Sequence, residues 1–314
     1  MDNNIITPDF LRGSFSDYRK YTRHYAKSFY FSSFALPKEK RDASYAIYSF
    51  CRFADNITDV TGYESSEYLG EKISRLRALL DEIYLQAESG SGEVSDFTAT
   101  IRKYGIPKVY FEDLIDGVSS DITKKRYETY SELDVYCYKV ASVVGLIMTK
   151  VFGYHGEEAL MHAIDLGKAM QLTNILRDIN DDYSMGRIYI PAEEMKAFGY
   201  SEVDLSRRTI NDNFRNLMKH QINRAKEYYS SADEGIKFLT DDGSRSTVMM
   251  MSKIYSGILN EIEAGNYDVF SKRHYVRTTK KIAAAVKMYA RRLYSLNKHK
   301  QAECISEPAI NNAD

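Results

Sequence analysis

Apolar residues recur at three- and four-residue intervals along nearly the whole chain, and no stretch sustains the two-residue alternation of a half-buried strand. The pattern predicts about ten helices. The first is expected from Phe15 to Ala35, stopping before Leu36-Pro37 because a residue that precedes proline is pushed out of the helical region. Others are expected from Lys40 to about Val60 and from Ser66 to Ala87, with a loop through Glu88 to Gly92. A short helix leads to Gly105, and Pro107 opens the next, which reaches about Asp121. Ser131-Glu132-Leu133-Asp134 reads as a capping box opening an apolar helix to Phe152. Gly156 to Tyr183, Asn211 to Leu239 and Ser246 to Ala264 complete the long helices, with a loop at Gly186 to Pro191 and a short helix after it. The expected organisation is an N-terminal extension (1–14), one all-α domain (15–299) ending in a basic helix from Arg277 to Asn297, and a disordered polar tail (300–314).

Composition supports this reading. Seventeen Gly and five Pro in 314 residues leave too little punctuation for a sandwich or barrel of short strands. A net charge of −1 provides no global field for nucleic acid, so charge-dependent chemistry must come from local clustering. Three cysteines, at positions 51, 137 and 304, cannot form a disulfide framework and fit a reducing, cytoplasmic setting. The N-terminus lacks a signal-peptide pattern, and the apolar run Val140 to Met148 is about half the ~20 residues needed to span a bilayer.

Two helices carry the candidate chemistry. Tyr48, Arg52, Asp55 and Asp59 are spaced 4, 3 and 4, which at ~100° per residue puts them in one stripe. Gln171, Asn174, Asp178 and Asp182, spaced 3, 4 and 4, form a second. Either stripe alone reads as a solvated face. Both helices, however, carry apolar residues around their stripes (Ile47, Phe50, Phe53 and Ile57; Leu172, Ile175, Leu176 and Ile179), so the stripes are expected to face a cavity. Carboxylates with an amide oxygen, without His or Cys nearby, are hard ligands suited to Mg²⁺ or Mn²⁺ shared with a phosphate. The implied substrate is a diphosphate ester.

The segments Tyr48-Ser-Phe-Cys-Arg52-Phe-Ala-Asp55-Asn-Ile-Thr-Asp59 and Gln171-Leu-Thr-Asn174-Ile-Leu-Arg177-Asp178-Ile-Asn-Asp-Asp182, followed by Gly186-Arg-Ile-Tyr-Ile-Pro191, closely resemble the two signatures of the squalene/phytoene synthase family. Tyr136-Cys-Tyr-Lys-Val-Ala-Ser-Val-Val-Gly145 resembles an intermediate family pattern. Two positions depart: Asn56 stands where many members have Asp, and Ser142 replaces the usual glycine. The resemblance implies an all-α isoprenoid synthase fold around a central apolar cavity, and head-to-head condensation of two prenyl diphosphates. The leading reading is two geranylgeranyl diphosphates giving phytoene through prephytoene diphosphate, in carotenoid biosynthesis, without NADPH. Alternatives are a squalene, dehydrosqualene or presqualene diphosphate synthase using the C15 substrate, and a non-catalytic helical assembly protein.

By the same resemblance, Asp55, Asp59, Asn174, Asp178 and Asp182 hold the metal, with Arg52 and Tyr136 also in the catalytic set. Tyr25, Ala26, Lys27, Ser28, Phe29, Tyr48, Arg52, Gln171, Arg177, Arg187, Tyr189 and Tyr255 contact substrate. For Arg52 and Arg177 the bland alternative is a surface ion pair, for Tyr48, Tyr136 and Tyr255 core packing, and for Arg187 and Tyr189 an exposed loop pair. Ser33, on the face one turn beyond the diphosphate contacts, is expected to leave depth for a C20 chain, the alternative being that it merely allows close helix packing. Gly145 reads either as room for a polyprenyl chain or as close helix packing. Ten Lys/Arg and no acid between Lys272 and Lys300 form a cationic face, either solvated or in peripheral contact with anionic lipid. The sequence leaves the oligomeric state open.

Overall fold

The structure, a computed structural model, describes residues 11–58, 65–89, 94–283 and 286. The chain divides after Tyr275 into two compact units. Of the second, a helical turn over residues 278–283 is described; most of the expected basic helix, and the tail 300–314, lie outside the described residues.

Among the described residues the first unit has no strand, only isolated bridges joining Arg126 to Ile188 and Tyr154 to Leu239. Its helices are α1 (Phe15–Tyr25), α2 (Lys27–Ser32), α3 (Lys38–Thr58), α4 (Ser66–Ser89), α5 (Asp96–Tyr104), α6 (Lys108–Thr123), α7 (Tyr130–Cys137), α8 (Val143–Phe152), α9 (Glu158–Ser184), α10 (Ala192–Ala197), α11 (Glu202–Ser206), α12 (Asp212–Gly235) and α13 (Ser244–Ala264). A π-helical turn, Tyr138–Ser142, joins α7 to α8. The all-α expectation holds, and most expected boundaries fall within a few residues.

Three differences have physical causes. The expected first helix is broken at Ala26, whose φ of −124° and ψ of 58° are not helical. No Gly or Pro announces this break; it places Tyr25, Ala26 and Phe29 together on a cavity wall. The cap of α7 is Thr129 rather than Ser131, because the Thr129 side chain accepts from the Glu132 N–H (3.3 Å). Within the expected N-terminal extension, Leu11 is fully buried and its carbonyl accepts from the Tyr18 hydroxyl (2.9 Å).

α3 is anchored by Phe50, which stacks parallel to Phe97 of α5 (5.4 Å) and edge-on to Phe111 of α6 (4.8 Å). All three rings are fully buried. Truncating Phe50 to Ala would cost about 3–5 kcal/mol through lost burial and the cavity left behind. α9 packs antiparallel along α12 and also against α8, α13 and the π turn. Its approach to the π turn is close: a Cβ on Gly167 would lie 2.4 Å from the Ser142 Cα, and one on Gly145 would lie 2.6 Å from the Ala163 carbonyl oxygen. Gly145 therefore serves helix packing while also lining the cavity. Ser142 is fully buried and donates to the Ile164 carbonyl (2.8 Å), which satisfies the hydroxyl that a glycine would lack.

The segment Tyr130–Phe152 is long and apolar enough to cross a membrane by composition, but half of it is buried. Its apolar residues pack on α6 and α9 and line the cavity described next.

Candidate active site

Between α2, α3, α8, α9, α12 and α13 lies a cavity of about 310 Å³. α9 contributes Ala159, His162, Ala163, Leu166, Gly167, Met170, Gln171 and Asn174, a continuous stripe at alternating three- and one-residue steps. α3 contributes Tyr48, Cys51 and Asp55. Of the two stripes, Tyr48 and Asp55 of the first and Gln171 and Asn174 of the second line the cavity, whereas Arg52, Asp178 and Asp182 do not. Polar groups gather at one end (Asp55, Gln171, Asn174, Tyr255), and the far end is closed by Phe152, Ile236, Leu239 and Val248.

One turn past Asn174 on α9, Asp178 is not among the lining residues, and it is the one residue inside α9 with non-helical backbone angles (φ −106°, ψ 15°). In a regular helix adjacent side chains do not face each other. Here the Asp178 carboxylate meets its neighbour Arg177, whose Nε donates at 2.8 Å, and it also accepts both Nε and Nη2 of Arg273 (2.8 and 2.9 Å). Burial pushes this carboxyl up, but hydrogen bonds and charge from Arg177 and Arg273 outweigh it and hold it below the usual carboxylate range. Tyr255 lines the cavity nearby; burial raises its phenol pKa, opposed by the charges of Arg177 and Arg273. Arg273 was not singled out by the sequence, where it is one base in a basic run.

The other expected residues fall into two places. Tyr25, Ala26, Phe29 and Tyr48 line the cavity as expected. Arg52 lies near Tyr21 and Tyr48, where its charge opposes the burial that pushes the Tyr21 phenol up to about 12. Asn56 donates to the Tyr21 hydroxyl (3.1 Å) and is not among the lining residues, so its amide is engaged with α1. Lys27 is exposed and Ser28 half-buried, and neither lines the cavity. Asp59 lies outside the described residues. Asp182 acts electrostatically on Arg177 and on Tyr189, which places it between the two groups.

Arg187 and Tyr189 are buried, contrary to an exposed loop. Arg187 Nη2 donates to the carbonyl of Thr58 at the end of α3 (2.9 Å), a cation at a helix C-terminus. The Tyr189 and Tyr136 hydroxyls both donate to Asp121, at 3.0 and 2.8 Å, and their rings stack 5.1 Å apart with Tyr127 against both. Burial, then the Asp121 charge, pushes both phenols up. Tyr136 therefore sits in a buried Asp121-centred cluster and not on the main cavity wall. Asp121 carried no sequence signal beyond being the last polar residue of a helix.

The expectation for Ser33 does not hold. It is fully buried, its hydroxyl lies 2.7 Å from that of Tyr45 and donates to the Tyr30 carbonyl (2.8 Å), and it is not among the lining residues. Phe29, four residues earlier, does line the cavity, but α2 ends at Ser32 and Ser33 opens a 3₁₀ turn, its hydroxyl packed on Tyr45 of α3.

No cluster of three acidic, imidazole or thiol groups forms a closed metal site among the described residues. The donors lining the polar end, Asp55 and Asn174, and the ionised Asp178 one turn further along α9, are all hard oxygens. This set fits a divalent cation that keeps open positions for a phosphate.

Comparison with known proteins agrees with this geometry. The squalene/phytoene synthase family model matches residues 22–281. The chain is 38% identical to the 15-cis-phytoene synthase of Synechocystis sp. over 276 residues, covering 84% of this chain and 81% of that one. It is 35% identical to phytoene synthase 3 of Zea mays, covering 93% and 69%. Among solved structures, a dehydrosqualene synthase in complex with ligand is similar with a TM-score of 0.78 at 28% identity, covering 92% and 100%. A squalene synthase from Alicyclobacillus acidocaldarius gives 0.70 at 26%, covering 83% and 97%.

Proposed function

We propose that this chain, which belongs to the squalene/phytoene synthase family, joins two C20 prenyl diphosphates head to head to give phytoene and two diphosphates. The observation that carries the C20 assignment is the length of the cavity. Asn174 at its polar end and Ala159 at its far end are 15 residues apart on one helix, about 22 Å at ~1.5 Å per residue. An extended isoprene unit, four main-chain carbons with bonds of about 1.5 Å, advances ~5 Å, so the wall matches four units. The relatives named phytoene synthase support the same product.

In this reading Asp55, Asn174 and Asp178, with Asp59 and Asp182, hold Mg²⁺ or Mn²⁺, which when bound offsets the charge of the leaving diphosphate. Arg52, Arg177, Gln171 and Tyr255 orient the diphosphate oxygens, and Arg187, bound to the Thr58 carbonyl, closes the polar end from the side of α3. Departure of the diphosphate leaves an allylic cation, which the second substrate's double bond attacks with loss of a proton to form a cyclopropylcarbinyl diphosphate. Its own ionisation, rearrangement and loss of a second proton give the 1′–1 linked triene.

The walls keep these cations from capture. Phe29, Val144 and Met170 exclude water. Burial raises the Cys51 thiol far above its usual range, so the sulfur facing the cavity stays protonated and weakly nucleophilic. The phenol of Tyr48 is held protonated by the same desolvation.

The test is incubation with C15 and C20 diphosphates and Mg²⁺, with and without NADPH, followed by mass analysis. A C40 product formed without NADPH is expected; a C30 product alone, or a requirement for NADPH, overturns the reading. The latter outcome would identify a squalene-type reaction on the same site.

A further inference from the structure

The far end of the cavity holds one bulky polar side chain among small ones. His162 lines the cavity together with Ala159, Ala163, Ala232 and Gly235. Its ring lies nearly parallel to that of Phe238, 16° apart in plane with centroids at 5.9 Å. On its other edge, Nδ1 is 3.4 Å from the Ser231 hydroxyl. Ser231 donates its single proton to Asp165 (2.5 Å), leaving lone pairs toward the imidazole. The contact with α12 is close: a Cβ on Gly235 would fall 2.1 Å from the His162 Cβ and 2.4 Å from its Cγ. The ring is thus seated by a missing side chain on α12, a hydroxyl and an aromatic plane.

We propose that His162, seated over Gly235, is the floor that ends the hydrocarbon cavity and sets the longest prenyl chain this enzyme accepts. The proposal rests on the C20 reading above. His162 is 12 residues from Asn174, about 18 Å along α9, so its ring meets the terminal isoprene unit of a C20 tail. Ala159, the next lining residue, already belongs to the four-unit wall; room for one more unit comes from the volume that the imidazole fills beside the Phe238 ring. Gly235 acts in the opposite sense: any side chain there displaces His162 into the cavity and shortens it. The floor is therefore tunable both ways from two facing positions.

The test is calorimetric binding, with Mg²⁺ and the full chain, of non-ionising thiolo-diphosphate analogues carrying C15, C20 and C25 tails. Wild type is expected to bind C20 about tenfold or more tighter than C25, a discrimination of the size that steric exclusion from an apolar pocket supplies. His162→Ala removes most of that ratio without weakening C20 more than about threefold, whereas His162→Phe, of similar bulk, preserves it. Gly235→Ala weakens C20 about tenfold while leaving C15 unchanged, and adding His162→Gly, which removes the Cβ that the new methyl would meet at 2.1 Å, restores C20 binding.

The proposal is overturned if His162→Ala rejects C25 as wild type does, or if Gly235→Ala leaves C20 affinity unchanged. Should His162→Ala not fold, as judged by circular dichroism, the Gly235→Ala arm decides alone. If wild type itself binds C15 better than C20, the C20 reading fails separately. The floor is then judged by whether His162→Ala lengthens the preferred chain, and no lengthening overturns it.

Discussion

The polar end and the floor of the cavity are built on the same helices by opposite means. At the polar end, function resides in residue type: carboxylates, amides and guanidiniums at three- and four-residue spacing on α3 and α9, with Asp178 held between two arginines. At the floor it resides in residue size and closure. The turn after α8 pairs with the end of α12 through His155 N–H to Phe238 C=O and Thr240 N–H to Gly153 C=O, both 2.9 Å. Lys40 of α3 then clamps the closure, reaching the Phe152 carbonyl and the Asp242 carboxylate. Charges at one end should thus govern rate, while packing at the other governs which chain fits.

The largest effect expected from this division is at the polar end. Asp55→Asn or Asp178→Asn should lower turnover by about three orders of magnitude with helicity unchanged, because on the proposed reading each removes a charge that would hold the metal against the leaving diphosphate. Steady-state rates and circular dichroism on the same samples check this, and full activity in EDTA would break the division at once.

Asp121 provides a sharper case, since it is buried and accepts from two tyrosines. Asp121→Asn should destabilise by about 1–3 kcal/mol, because a carboxylate accepting two hydroxyl protons is replaced by an amide that brings donors of its own. Urea unfolding measures it. A variant with native stability and lost activity would instead move the Asp121, Tyr136 and Tyr189 cluster into the polar-end chemistry.

A smaller effect separates Ser33 from the floor. Ser33→Ala should cost about 1 kcal/mol through the lost contacts with Tyr45 and Tyr30, with chain-length preference unchanged. A shift in product length would return Ser33 to the cavity.

The smallest effect is a pH dependence of the floor clamp. Burial raises the Asp242 pKa, but Lys40 and Ser244 outweigh it, leaving it below the usual 3.8. A carboxylate with a depressed folded pKa contributes stability above its unfolded pKa and loses it as pH falls through the folded value. Thermal melts should therefore show Asp242 contributing about 1 kcal/mol or less at neutral pH, fading below about pH 4. Asp242→Asn should flatten the melting temperature in that window; an unchanged acid profile would remove the clamp from the account.

The sequence alone determined the helical class, nearly every long helix and the oxygen donors proposed to act at the polar end. These are written locally: a 3.6-residue period, Gly105 and Pro107 as punctuation, and oxygen donors one turn apart within single helices. Tertiary structure decided what depends on segments distant in sequence. The break at Ala26 has no breaker residue to mark it, and Ser33 leaves the wall to meet Tyr45 of α3, 12 positions on. Arg273 reaches Asp178 across 95 positions, and Asp121 meets Tyr189 across 68. The floor joins His162, Ser231, Gly235 and Phe238, none of which belongs to a motif. Periodicity along a chain reports which face of a helix is buried; only the packing of those faces fixes where a cavity ends.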